Sequence, residues 1–228
     1  MKGTRLYYFL KAEHVLSNLK QRHLKISRID TLNDPFEFLT ADLSDPKLRW
    51  LLTKARDQHV DFGGIICFCD NWKTPVMWAH YGENYAGAAF GFDVTAPDES
   101  LVKMRYVKHR LAPPAKLYSS EHHDKWQQFL NEMLGIKFEH WSYEGEYRLH
   151  VKLENPDPVI LDPLKRPMYF EDFEPHMALR QVIVGPKSTL TRADIKAALG
   201  TLASSVDVFK CRAGYGEFAM VKDGARWK

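Results

Sequence analysis

Trp141-Ser142-Tyr143-Glu144-Gly145-Glu146-Tyr147-Arg148-Leu149-His150-Val151 has the composition of a β-strand from Tyr143 onward, with Tyr, Leu and Val spread along it. Side chains two apart in a strand share a face. The strand reading therefore sets Glu144, Glu146 and Arg148 side by side. Two carboxylates on one face repel and need a compensating partner or purpose. Arg148 can be the partner, which makes the face a solvated ion-pair ladder. The other purpose is chemical: a carboxylate placed to hold a sugar hydroxyl while positive charge develops beside it.

On the N-terminal side of this strand, Glu121 to Glu139 predicts the longest helix, with Trp126, Phe129, Leu130, Met133, Leu134 and Ile136 as its apolar residues. Ala112-Pro113-Pro114-Ala115 interrupts the chain before it, and Val102 to Val107 predicts a strand. Near the start, Leu6 to Leu10 is an apolar strand, Ala12 to Lys20 a helix and Leu24 to Ile29 a strand. Pro46 to Val60 is a helix with Pro46 in its first turn. After Val151, Pro156 to Pro175 is rich in proline and acid and reads as a loop-heavy excursion with one short strand, Val159 to Leu161. Gln181 to Val184 and Val206 to Cys211 are strands, with a helix from Thr191 to Ala203 between them. No linker, internal repeat or low-complexity segment divides the chain. The expected fold class is α+β: one domain over residues 1–228, with mixed or antiparallel sheets flanked by helices.

The chain has 228 residues, enough for one large core, and its 45% hydrophobic and 27% charged content is that of a soluble globular protein. A net charge of +3 is too small to imply a nucleic acid or membrane partner. The three cysteines, Cys67, Cys69 and Cys211, suit a reducing cytoplasm better than a disulfide framework. Only five apolar residues follow Arg5, too few for a signal peptide or a span, so the expected location is cytoplasmic.

Several motifs fail on detail. Val182-Ile183-Val184-Gly185-Pro186-Lys187-Ser188-Thr189 resembles the end of a phosphate-binding loop, but Pro186 replaces the required glycine and removes a backbone donor. Gly214-Tyr215-Gly216 lacks the third glycine of a dinucleotide fingerprint. His122 and His123 are adjacent and diverge from a helix, and Cys67 and Cys69 have no second pair of ligands, so no metal site is expected.

Two further stretches carry chemistry-bearing residues. Ile65-Ile66-Cys67-Phe68-Cys69-Asp70, then Thr74-Pro75-Val76-Met77-Trp78-Ala79-His80-Tyr81, then Ala86-Gly87-Ala88-Ala89-Phe90-Gly91-Phe92-Asp93, reads strand, capped short helix, strand. The small residues of the second strand let a helix or a ligand approach its backbone. Trp78 and Tyr81, three apart, share a helix face and form either an aromatic wall for a flat heterocycle or a core pair. Asn33-Asp34-Pro35-Phe36-Glu37 is either a turn fixed by Pro35 and anchored by Phe36 or a direct ligand contact. Arg28 is placed to pair with Asp34 or Glu37.

The order of Leu6-Tyr7-Tyr8-Phe9, Leu24-Lys25-Ile26-Ser27, Asn33-Asp34-Pro35-Phe36-Glu37, Met77-Trp78-Ala79-His80-Tyr81 and Trp141 to Arg148 resembles a bacterial family, DUF2971, from Leu6 to about Ser188. Residues 189–228, with the last helix and strand, lie outside the resemblance. More distantly, the layout is similar to the ADP-ribosyltransferase fold: an early strand with a substrate-holding residue, a strand and helix bearing Ser and Tyr, and a late strand bearing the catalytic Glu. That similarity implies NAD as substrate, no metal, and Glu146 as the catalytic residue, with Glu144 selecting or activating the acceptor. It implies that Tyr81 stacks on nicotinamide, that Tyr8 or Tyr7 holds the substrate, and that Ser27, Trp78 and His80 line the same nucleotide site. Arg148 then orients the carboxylate or meets the pyrophosphate. Two departures stand out: Tyr8 occupies the usual place of a His, and Thr74 is the only hydroxyl near the usual Ser. The function implied is an ADP-ribosyltransferase or NAD glycohydrolase, in bacterial conflict or phage defence, acting on a protein or nucleic acid acceptor. The alternatives are a non-catalytic nucleotide- or protein-binding module, and a nuclease holding Mg²⁺ on Asp34, Glu37 and Glu144.

Overall fold

Strand β1 (Thr4–Leu10) sends Leu6 and Leu10 to one face and Tyr7 and Phe9 to the other, the alternation of a strand with protein on both sides. The structure, a computed structural model, describes residues 3–97, 100–114, 123–154, 157–162, 165–225 and 227, and for 58–62, 123 and 157–160 the backbone alone. After β1 come α1 (Ala12–Gln21), β2 (His23–Ile26), α2 (Pro46–Phe62), β3 (Gly63–Cys69), α3 (Pro75–His80) and β4 (Ala88–Val94). Then follow β5 (Leu101–Lys103), β6 (Arg105–Val107), α4 (His123–Leu134), β7 (Ile136–Phe138) and β8 (Glu146–Lys152). The last elements are β9 (Asp157–Leu161), β10 (Pro167–Asp172), β11 (Met177–Val184), α5 (Arg192–Leu199), β12 (Asp207–Ala213) and β13 (Met220–Lys222).

The principal sheet has the order β13-β12-β11-β4-β1-β3-β8-β5. Its neighbours are antiparallel except β11 and β12. Smaller sheets join β2, β10 and β9, and β6 and β7. The fold is α+β with an antiparallel-rich sheet. Helices α1 and α5 cover one face through Val15, Leu19, Ile195 and Leu199, packed on Leu6, Phe68, Phe90 and Phe92. Helices α2 and α4 cover the other through Leu48, Leu52, Phe129 and Met133 around Ile65, and α3 seats Trp78 beside Ala89 and Ile183. Among the described residues no helix is long and apolar enough to cross a membrane.

Four expectations are corrected. Helix α4 ends at Leu134, Gly135 follows, and Ile136–Phe138 is a strand; glycine just past the last turn is a stop signal, and the apolar period continues through it by coincidence. Glu121 and His122, which that expectation included, lie outside the described residues, as does Ala115. The expected strand from Val102 to Val107 is two strands in different sheets, β5 on β8 and β6 on β7. The excursion after Pro156 carries strands β9 and β10, which pair with each other and with β2. Glu144 is not on a strand: it ends a 3₁₀ helix, Glu139–Glu144, and β8 starts two residues later.

Candidate functional site

Strands β1 and β4 pair over seven positions, and so do β3 and β8, but β1 and β3 pair at one only, Tyr7 opposite Cys69. The two strands part beyond it. A cavity of about 250 Å³ opens in the gap. Consecutive residues Tyr7, Tyr8 and Phe9 from β1, and Cys67, Phe68 and Cys69 from β3, border it. Consecutive side chains of a strand point apart, so the backbone of both strands, as well as side chains, walls the cavity where they part. Gly91 faces Tyr7 across β4, and a Cβ there would stand 3.1 Å from the Tyr7 ring. That bare position lets the phenol lie over the strand.

The register lines up the acidic side of the cavity. Tyr7 pairs with Cys69, Cys69 with Glu146, and Cys67 with Arg148. Arg148, 1% exposed, donates from Nε to Glu146 Oε1 at 2.8 Å and from Nη1 and Nη2 to Glu37 at 2.9 and 2.5 Å. Lys137 Nζ donates to Glu144 Oε2 at 2.5 Å and Glu146 Oε2 at 3.2 Å, and stands 3.7 Å from Glu37 Oε1. Its ammonium also lies 4.7 Å from the Trp141 ring centre. Tyr81 donates to Glu144 Oε1 and accepts from Asn33 Nδ2 at 2.7 Å. The Tyr106 hydroxyl accepts the backbone N–H of Glu146 at 2.8 Å. Three buried carboxylates thus face two buried cations. A buried charge is tolerable only when paired and hydrogen-bonded, and every charged group here is both.

Gly145 sets the two catalytic candidates apart. It closes the 3₁₀ helix at φ +50°, and a Cβ on it would fall 2.3 Å from Asp70 Oδ1. The left-handed turn aims Glu144 from a helix end and Glu146 from a strand start at the same Lys137. Gly145→Ala is expected to cost about 2 kcal/mol or more, the left-handed penalty plus displacement of Asp70; urea unfolding checks it. An unchanged midpoint would show that the turn is not strained by a side chain.

Tyr7, Tyr8, Ser27, Tyr81, Glu144, Glu146 and Arg148 all border this one cavity. Tyr8 also meets Phe68 edge to face, with 6.1 Å between ring centres. Trp78 and His80 do not border it. Trp78 is fully buried, donates Nε1–H to Trp72 O at 2.6 Å and packs edge-on against Phe9, so it is core. The shared aromatic face fails because Trp78 is drawn into the core while Tyr81, the C-cap of α3, turns its hydroxyl to Glu144 and Asn33. His80 pairs its Nδ1 with the Tyr143 hydroxyl at 3.0 Å and supports the 3₁₀ helix from outside the cavity. Arg28 binds Asp30 rather than Asp34 or Glu37, and Asp34 Oδ1 accepts the Phe36 N–H at 2.9 Å. The Asn33–Glu37 turn is therefore both structural and part of the cavity, since Asn33 and Glu37 line it. Lys137 was not legible as a member of the site, and Glu37 was legible only as a possible ligand contact of its turn, not as the partner of Arg148. The one local signal for Lys137 was a lysine between apolar Ile136 and Phe138, straight after a glycine.

The two acids are pushed in opposite directions. Burial alone raises Glu146, but Arg148 and Lys137 outweigh it and hold the carboxyl at about 2. Burial raises Glu144, and Lys137 and the Tyr81 hydroxyl offset this only partly. Burial also raises Tyr8, and burial with the bond to Glu144 raises Tyr81, so both phenols keep their protons. Cys67 is raised by burial and by Glu146, which leaves a neutral thiol. A depressed carboxyl adds stability that is fully present above its unfolded value and lost as pH falls through its folded value. Between the ordinary 4.5 and about 2 the unfolded chain takes up this proton first. Unfolding free energy measured against pH should fall across that window, and Glu146→Gln should flatten the fall. An identical slope in the variant would remove Glu146 as its source.

The chain matches no protein family, no curated protein and no solved structure to which it was compared. Any functional reading therefore rests on the cavity itself.

Proposed function

We propose that the cavity binds NAD and cleaves its nicotinamide–ribose bond, as a glycohydrolase or as an ADP-ribosyltransferase. The observation that carries this is convergence: Tyr7 and Tyr8 from the first strand, Tyr81 from a helix end, and Glu144 and Glu146 flanking Gly145 border one cavity in a gap of the sheet. Charge supports it. Glu37, Glu144 and Glu146 against Lys137 and Arg148 leave one negative charge in excess, which suits a ribosyl-pyridinium cation.

In this reading Glu146, kept ionised, receives the ribose 2′-hydroxyl and steadies the positive charge that grows on the ring as the C1′–N bond breaks. The bonding pair leaves with nicotinamide, which departs neutral. The oxygen of water or of an acceptor hydroxyl bonds to C1′, and its proton passes to Glu144, whose raised pKa makes it the better base. Tyr81 presents its ring to the leaving group, and its hydroxyl, held by Asn33, keeps Glu144 in place. Incubating the purified protein with NAD and measuring nicotinamide tests this directly: release is expected, and none above buffer, with or without cell extract as acceptor source, overturns it.

One observation favours a second reading. Both Glu146 oxygens already accept from Arg148 or Lys137, so a ligand hydroxyl must compete for them. A non-catalytic nucleotide-binding module fits that saturation and predicts a ligand-dependent rise in Tm with no turnover. The Mg²⁺ nuclease has no such support: Glu37 and Glu144 are paired with Arg148 and Lys137, and Asp34 accepts the Phe36 N–H.

A further inference from the structure

The cavity at the acidic cluster, about 250 Å³, is below the roughly 300–1,000 Å³ of ordinary ligand sites. On the reading given above, a space of that size is to hold the nicotinamide–ribose end of the dinucleotide, and the diphosphate needs a place of its own. Thr31 is on the wall of the acidic cavity, at the end of the 3₁₀ turn Ile29–Thr31 that follows β2. The same Thr31 also borders a second cavity of about 380 Å³, lined by the end of β2 and the turn after it and by Asp162, Arg166 and the start of β10. The two spaces are therefore neighbours across one residue, whose hydroxyl is held by the backbone of Arg28 at 2.8 and 3.2 Å.

The second cavity has the opposite charge. Lys25, Arg28 and Arg166 line it, against Asp30 and Asp162, which leaves one positive charge in excess. The guanidiniums are held in position. Asp30 accepts from Arg28 Nε at 3.3 Å and from Arg166 Nη1 at 2.6 Å, and Asp162 accepts from Arg166 Nε at 2.8 Å. Asp30 thus takes Nε of Arg28 and, among the described residues, leaves both of its terminal nitrogens without a bond. Two terminal N–H groups in a fixed plane are the fork that binds phosphate oxygens pairwise. An acidic cavity and a basic one, adjoining at Thr31, match a ligand with a cationic end joined to an anionic middle.

We propose that the second cavity takes the diphosphate of the dinucleotide whose nicotinamide–ribose end occupies the first, with Arg28 as the principal phosphate-binding residue and Arg166 beside it. This rests on the reading of the first cavity given above and assigns the other half of the same ligand. Titration calorimetry of the full chain with ADP-ribose and, separately, with nicotinamide tests it; neither probe has a bond the proposed reaction breaks. Arg28→Gln and Arg166→Gln are each expected to weaken ADP-ribose binding about tenfold, the loss of one charge-assisted contact, and to bind nicotinamide as the parent does. Wild-type affinity for ADP-ribose in both variants overturns the assignment and leaves the first cavity's role standing. Equal loss of both probes shows general damage to the fold and also overturns it. If the parent protein binds neither probe, the reading of the first cavity fails, and this inference fails with it.

Discussion

Glu146→Gln is expected to lower the rate of nicotinamide release from NAD by about 10²–10³-fold, the cost of removing one preorganised electrostatic contact from a transition state that develops charge. The substitution is nearly isosteric. Its side-chain oxygen can still accept from Arg148 Nε, the 2.8 Å bond of the parent, so the strand start stays in place. What disappears is the fixed negative charge, which Arg148 and Lys137 hold on the parent carboxyl well below the ordinary carboxylate range. The effect should fall on kcat, because the charge on the ribose exists only as the bond breaks. Glu144→Gln should distinguish the two acids: its loss follows the nucleophile, and is largest where a proton must be taken from an acceptor hydroxyl. Full activity in Glu146→Gln, with Glu144→Gln also active, would falsify the assignment of both carboxylates.

Arg148→Met should be the most destabilising single change at the site, by about 3–5 kcal/mol, because removing one partner strands buried charge without returning it to water. Glu37 and Glu146 both lose their guanidinium, and Lys137 alone then faces three carboxylates. The pH dependence carries a sign. With Arg148 gone, the burial that raises Glu146 loses its largest counterweight, so the folded-state pKa of Glu146 rises above its unfolded value and the proton is held more tightly folded than unfolded. The deficit should therefore shrink as pH falls from 7 toward 5 and grow as it rises. Adding Glu37→Leu should restore part of the loss, since the pair is removed together and the two changes are then less than additive. Urea unfolding of the parent, the single and the double variant reads all three. A deficit below 1 kcal/mol in the single variant would mean that water reaches the network.

Local pattern carried much of the architecture. The apolar run Leu6–Leu10, the apolar stretch from Ile65 to Cys69, the Thr74-Pro75 helix start and the helix start at Thr191 each express preferences within a few residues, and each corresponds to an element of the fold. Thr191 forms a capping box with Asp194. Where local signals compete, the reading erred. The apolar period of α4 continued through Gly135 into β7 and hid Lys137. The spacing of Glu144 and Glu146 suggested one strand face, although Gly145 between them turns left-handed. Trp78 and Tyr81 are a helical three apart, yet the helix stops before Tyr81.

The order of residues along the chain was enough to mark out an α+β protein and most of its strands and helices; of the nine residues that the resemblance placed at a nucleotide site, Tyr7, Tyr8, Ser27, Tyr81, Glu144, Glu146 and Arg148 border one cavity and Trp78 and His80 do not. Three things emerged only on folding: the parting of β1 from β3 that makes the cavity, the pairing of Glu37 with Arg148, 111 residues apart, and the opposite charges of two adjoining cavities. The reason is range. Backbone preferences and hydrophobic periods act over one or two turns. The partner of a buried charge is whichever group the packed chain brings within about 3 Å of it, and nothing near either residue in sequence names it.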